Sequence, residues 1–116
     1  MLPDRDRVRL LHMLEHAQEA IQLMAARTRP DLDADRILSL ALVRLLEIVG
    51  EAAARVSSDA RARRPAIPWT EIVSLRNRLI HGYDSVDLDV LWTIVDTDLP
   101  ALVRTLSAET DLHDAR

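Results

Sequence analysis

Residues 76–83 read Arg-Asn-Arg-Leu-Ile-His-Gly-Tyr. Two guanidiniums, an amide, an imidazole and a phenol in so short a run suit work on a phosphodiester. Arg76 can fork onto phosphate oxygens and stabilise the charge of a pentacoordinate state. Asn77 can hydrogen-bond the same group or orient a catalytic partner. His81 can move protons near neutral pH, and a place at a helix C-terminus favours its charged form. Arg78 is a further candidate phosphate contact. A blander reading stands beside this one: Arg and His are common at helix C-termini, and Gly82-Tyr83 after them is an ordinary turn. RNA supplies its own nucleophile, the 2′-OH, so no metal or other cofactor is required. Attack benefits from a base and departure of the 5′-oxygen from an acid, and one His is a thin endowment for both. Two subunits facing each other would bring two His and two Arg into one cleft.

Four helical segments are expected to position this set. Leu10, Leu14, Ala17, Ile21 and Met24 form a stripe at helical period. Arg27–Asp33, with Pro30, reads as a loop. The second helix spans about Asp35–Val56, with one stripe of Ile37, Ala41, Leu45, Ile48, Ala52 and Val56 and another of Leu38, Leu42, Leu46, Val49 and Ala53. So wide an apolar arc predicts burial on more than one side, with a second subunit supplying one of them. Gly50 inside it predicts close helix approach. Ser57–Pro68 reads as a connection, and Trp69–Ile80 as the third helix, with Ile72, Leu75 and Leu79 inward and Gly82 at its αL stop. Asp87 is a cap for the fourth helix, which carries Leu91, Ile94 and Val95 inward and which Pro100 kinks or restarts. Residues 1–4 and about 108–116 are expected to fray. The architecture predicted is an all-α four-helix bundle of one domain, up-and-down in its simplest form.

Composition agrees. A chain of 116 residues builds one core. With two Gly, five Pro and no Phe, the core must be aliphatic and the fold helical. There is no Cys, which excludes a disulfide scaffold and a zinc–thiolate site. The N-terminus is charged and has no apolar run of signal type, and no stretch reaches the ~18 apolar residues of a membrane span. A cytoplasmic protein without a membrane partner is expected. Net charge is −4, yet residues 55–78 carry six Arg against Asp59 and Glu71, while eight acids follow from Asp84 onward. That polarity places a basic site beside an acidic face.

Other residues have their own readings. Arg61, Arg63 and Arg64 are candidates to guide RNA by screened attraction, or form a solvated loop. Glu47 and Glu51 share a helix face and are candidate supports of the cleft, or pair with Arg44 or Arg55. His12 and His16 have a metal-binding spacing but no third ligand. Trp69 and Trp92 read as core anchors rather than base-stacking platforms.

The arrangement Arg-Asn-x-x-x-His-x-Tyr resembles the signature of the HEPN superfamily, and specifically its HepT-like branch. The likeness extends to Leu45–Ala53, to Ile67-Pro68-Trp69, and to Val90–Val95 with Asp98-Leu99-Pro100, so it spans most of residues 4–106. The segment 29–35 departs from it in lacking an aromatic residue. The resemblance implies a helical homodimer with a composite cleft between subunits, acting as a metal-independent ribonuclease toxin. It implies Arg76 and His81 as the catalytic pair with Asn77 as their polar neighbour. It also implies a minimal nucleotidyltransferase antitoxin that transfers AMP from ATP onto Tyr83, within a complex that extends to a larger hetero-oligomer. Two other readings compete: a non-catalytic module that presents Tyr83 or a substrate to a nucleotidyltransferase, and a structural dimerisation domain. The second of these leaves the motif unexplained.

Overall fold

The computed structural model describes residues 2–109 and Leu112. The described chain is mostly helical, with one two-stranded hairpin. Its helices are α1 (Asp4–Met24), α2 (Arg29–Ala34), α3 (Arg36–Ala54), α4 (Ser58–Ala62), α5 (Trp69–Val73) and α6 (Leu75–Leu79). The hairpin strands β1 (Ile80–His81) and β2 (Ser85–Val86) follow, then α7 (Leu88–Thr93), a π-helical turn over Ile94–Asp98, and α8 (Leu99–Ser107).

The core is aliphatic, as composition demands. α1 lies along α3, burying Leu10, Met13, Leu14 and Ala17 from one helix and Leu42, Leu46, Val49 and Ala53 from the other. α8 packs on α1, and α5 and α6 pack on α3. Buried Ile72 on α5, Leu75 and Leu79 on α6, Leu91 on α7 and Ile94 on the π turn add to the interior. Gly50 makes the α3–α5 approach possible: a Cβ there would lie 3.0 Å from the Ile72 carbonyl oxygen. Asp35 caps α3 through Leu38 N–H, and Asp87 caps α7 through Val90 N–H.

Several expectations are corrected. The stretch read as a loop around Pro30 is a helix, α2. Pro30 sits in its first turn, where a missing N–H costs nothing. Thr28 N–H donates to the Asp31 carboxylate at 2.7 Å, and Arg29 ties the helix to Asp89 on α7 at 2.8 Å. The connection Ser57–Pro68 contains α4, capped by Ser57. The third helix is not continuous to Ile80. It breaks at Ser74, whose hydroxyl donates back to the Thr70 carbonyl at 2.8 Å, a bond that competes with the helical ladder. It stops at Leu79, and Ile80 is extended. In the fourth helix the π turn precedes Pro100, loosening the ladder where the proline ring would otherwise meet a carbonyl one turn back. On α3, Ile37 is 81% exposed in the single chain, on the outer side of an arc whose other side is buried. At the ends, Leu2 and Leu112 are buried and Glu109 pairs with Arg64. The remaining residues expected to fray, Met1, 110–111 and 113–116, lie outside the described residues.

Candidate active site

The motif straddles a change of secondary structure. Arg76, Asn77 and Arg78 are on α6, His81 is on β1, and Gly82, Tyr83 and Asp84 form the hairpin turn. Ile80 pairs with Val86 and His81 with Ser85. Gly82 has φ +75, the left-handed conformation that a side chain disfavours. Asp87 N–H donates to the Leu79 carbonyl at 2.8 Å and closes the base of the hairpin. His81 therefore sits in an extended segment two residues beyond the helix. The imidazole is thus not at a helix C-terminus, and its near neighbour is a carboxylate: His81 Nε2 lies 3.5 Å from Asp87 Oδ2.

Arg76 is well exposed and is steered by Glu47 on α3, whose Oε2 accepts from Arg76 Nε at 3.1 Å. Using Nε for this contact leaves the two terminal nitrogens of the fork for a phosphate. Glu47 is mostly covered and has Arg44 at 3.8 Å. Arg76, Asn77, Glu47, Glu51, Gly50 and Val73 line a shallow hollow of about 230 Å³. Tyr83 is 97% exposed. It lies at the edge of another hollow of about 500 Å³, lined among others by Arg36, Leu40 and Val86. Neither hollow holds both Arg76 and His81. The Asp87 carboxyl is held below its usual range, first by the Val90 N–H and then by His81, against a partial loss of solvation.

The other arginines are placed apart from this group. Arg78 faces Asp98 on the π turn at 3.5 Å and lines a different, mainly apolar hollow between α5, α6 and α8. Arg61 folds back on the end of α3, donating to the carbonyls of Val56, Ala53 and Ala54. Its guanidinium also lies 5.7 Å from the centre of the Trp69 ring. Arg64 is buried and donates to Glu109 at 2.7 Å and to the Ala60 carbonyl at 3.0 Å. Arg61 and Arg64 thus both have intramolecular acceptors, as free carbonyls at a helix end need donors. Arg63 remains exposed, beside Asp59 at 3.3 Å. Trp69 donates Nε1–H to the Arg64 carbonyl and packs on the core, as does Trp92. His16 Nδ1 donates to the His12 carbonyl at 2.7 Å. Among the described residues no group of three metal-ligating side chains assembles, and no helix is long and apolar enough to cross a membrane.

Sequence reasoning found Asp87 as a cap and missed it as the neighbour of His81. The signal was a carboxylate six residues on, which has meaning only once a hairpin is known to fold it back.

The helical scaffold thus exposes an Arg, an amide and a His beside a carboxylate around one helix–hairpin junction. The family model for "Ribonuclease HepT-like" matches residues 13–109. The chain belongs to this family, and its class of enzyme is ribonuclease. It is 41% identical over 93 residues, 77% of this chain and 84% of the relative, to the "Probable ribonuclease HepT" of Thermococcus cleftensis. It is 37% identical over 80% of its length to a protein of Methanocaldococcus jannaschii named a putative RNase, of which 85% is covered. A protein of Caldanaerobacter subterraneus with the same description is 32% identical, over 80% of this chain and 83% of its own. No solved structure gives a significant match.

Proposed function

We propose that the chain is the toxin of a type VII toxin–antitoxin pair, a cytoplasmic, metal-independent RNA endonuclease whose catalytic groups are Arg76 and His81. The observation that carries this reading is the joint exposure of the two groups, each beside its own carboxylate: Arg76 on Glu47 and His81 on Asp87. The ribose 2′-oxygen attacks phosphorus and gives up its proton as the new P–O bond forms. The bond to the 5′-oxygen breaks, and that oxygen takes up a proton. Arg76 neutralises the equatorial oxygens, Asn77 hydrogen-bonds the same phosphate, and His81 transfers protons.

Catalysis takes place in a homodimer with a composite cleft. Support comes from the face of α3 carrying Ile37, Leu40, Arg44, Glu47 and Glu51, which recur at helical spacing. Ile37 and Leu40 are exposed there, beside exposed Val73 on α5. A second copy on this face covers the apolar groups and supplies a second His and Arg.

The partner is a nucleotidyltransferase antitoxin. It joins the Tyr83 oxygen to the α-phosphorus of ATP and releases pyrophosphate. The hairpin tip favours this reading, because a nearly fully exposed phenol is open to another enzyme's active site. The adduct brings a negative phosphodiester and a nucleoside two residues from His81, where they compete with substrate phosphate.

The test is direct. His81→Ala and Arg76→Ala are each expected to abolish cleavage of a single-stranded RNA, by at least about 100-fold, with the helical circular dichroism unchanged. EDTA is expected to leave wild-type cleavage intact. Cleavage that stops in EDTA, or that persists in either variant, refutes the mechanism.

A further inference from the structure

We infer that Asp87 is a positioning residue that sets the tautomer of His81, holding the ring proton on Nε2 and leaving Nδ1 as the nitrogen that meets RNA. The inference rests on the reading of His81 as a catalytic group.

The two carboxylate oxygens of Asp87 are placed differently. Oδ1 accepts the Val90 N–H at 3.1 Å, the capping bond of α7. Oδ2 is turned to His81 Nε2 at 3.5 Å. The backbone on both sides is pinned, since Asp87 N–H reaches the Leu79 carbonyl and His81 pairs with Ser85 across the hairpin. A carboxylate anchored by one oxygen at a helix start has little freedom to move the other. The carboxyl is held ionised by the Val90 N–H, so it faces the imidazole as an acceptor only. A neutral imidazole has one N–H, and a neighbouring acceptor draws it to the nearer nitrogen. Among the described residues Nδ1 has no hydrogen-bond partner, and the side chain is 64% exposed. The separation is long for a hydrogen bond, as contacts of this kind are before substrate tightens them.

This geometry makes Asp87→Asn informative. The cap requires an oxygen at the Oδ1 position, and Asn is as good a cap as Asp. Its amide nitrogen then replaces Oδ2 and donates toward Nε2, which reverses the demand on the ring and drives the proton to Nδ1. Asp87→Ser keeps a capping hydroxyl and removes the group facing His81. Both variants are made in the full chain and read by two methods. Two-bond ¹⁵N–¹H correlation spectra report which ring nitrogen of His81 is protonated. Steady-state cleavage of a single-stranded RNA oligonucleotide separates kcat from KM.

The expected result is an Nε2–H tautomer in the wild type and an Nδ1–H tautomer in Asp87→Asn. A mixture is expected in Asp87→Ser. In both variants kcat should fall about 10- to 100-fold with KM and the thermal midpoint little changed. A wild-type ring protonated at Nδ1 overturns the inference with no variant needed. So does an Asp87→Asn or Asp87→Ser protein with the wild-type tautomer and kcat. His81→Ala separates the two claims: if it still cleaves RNA, the catalytic reading of His81 fails, while the tautomer spectra still decide whether Asp87 controls the ring.

Discussion

Tyr83 differs from every other aromatic residue of the chain in touching little. Trp69 and Trp92 are partly buried against the core, whereas the phenol stands at 97% exposure on a turn that the φ of Gly82 makes possible. Its hydroxyl holds up nothing, so Tyr83→Phe is expected to leave folding and RNA cleavage within about twofold of wild type, as for surface changes in general. Co-expression with the nucleotidyltransferase then distinguishes the readings. Wild-type chain should gain mass in AMP-sized steps and lose toxicity, and the Phe variant should do neither. If the antitoxin silences the Phe variant as fully, with no AMP on the wild type, neutralisation works by steric masking. The arginines teach a related lesson. A guanidinium that donates to several carbonyls at the end of α3, as Arg61 does, is a helix cap first.

At the scale of elements, two close contacts fix how helices meet. The first is Gly50 against the Ile72 carbonyl. Gly50→Ala gains about 1 kcal/mol in helix propensity, but the new methyl presses on backbone rather than on a yielding side chain, which costs about 1–3 kcal/mol. A net loss near 1 kcal/mol in urea unfolding is expected. RNA cleavage should fall more than stability does, because α5 leads directly into the helix that carries Arg76. The second contact joins the start of α1 to the start of α4. Asp6 is buried and accepts Ser57 N–H at 2.9 Å and the Ser57 hydroxyl at 2.7 Å. Burial alone raises its carboxyl pKa, but the two donations, with Arg5 and Arg64 nearby, outweigh that, and the net shift is downward. A lowered folded-state value means that its contribution to stability is full above the ordinary carboxylate range, about 4. The contribution is lost as pH falls through the folded value. Asp6→Ala is therefore expected to destabilise the protein by about 1–3 kcal/mol at pH 7, and this difference should shrink in unfolding curves taken near pH 3. A difference independent of pH would show that packing, not charge, is what Asp6 contributes.

For the molecule as a whole, the question is what covers the outer face of α3. Ile37 is 81% exposed and contributes little to its own chain's core, so changing it tests association with little effect on folding. Light scattering at micromolar concentration is expected to return twice the chain mass for wild type. Ile37→Asp should shift that equilibrium toward single chains, keep the helical signal, and lower cleavage together with the dimer fraction. A wild-type monomer that cleaves RNA at full rate would remove the composite cleft. It would leave the site to the two groups that one chain exposes.

What the sequence determined by itself was whatever acts over one helical turn or one chain reversal. The stripe of Leu10, Leu14 and Ala17, the cap at Asp87 and the inward Ile72, Leu75 and Leu79 were legible because periodicity and capping are relations between residues at most four apart, whereas the helix stop read at Gly82 falls at Leu79, because Ile80 and His81 pair into a hairpin. The chemical character of residues 76–83 was legible for a similar reason, since the groups are adjacent in the chain. Tertiary structure decided the rest. Pro30 reads locally as a breaker, and only a seat in the first turn of α2 turns it into a helix starter. Arg64 reads as one more basic loop residue until a carboxylate 45 positions away is folded against it. Arg29 likewise finds Asp89 across 60 residues. Arg76 meets Glu47 across 29. Asp87 acquired a second role when the hairpin brought it back beside His81. These pairings depend on how packed helices bring distant segments together, and no local propensity encodes that.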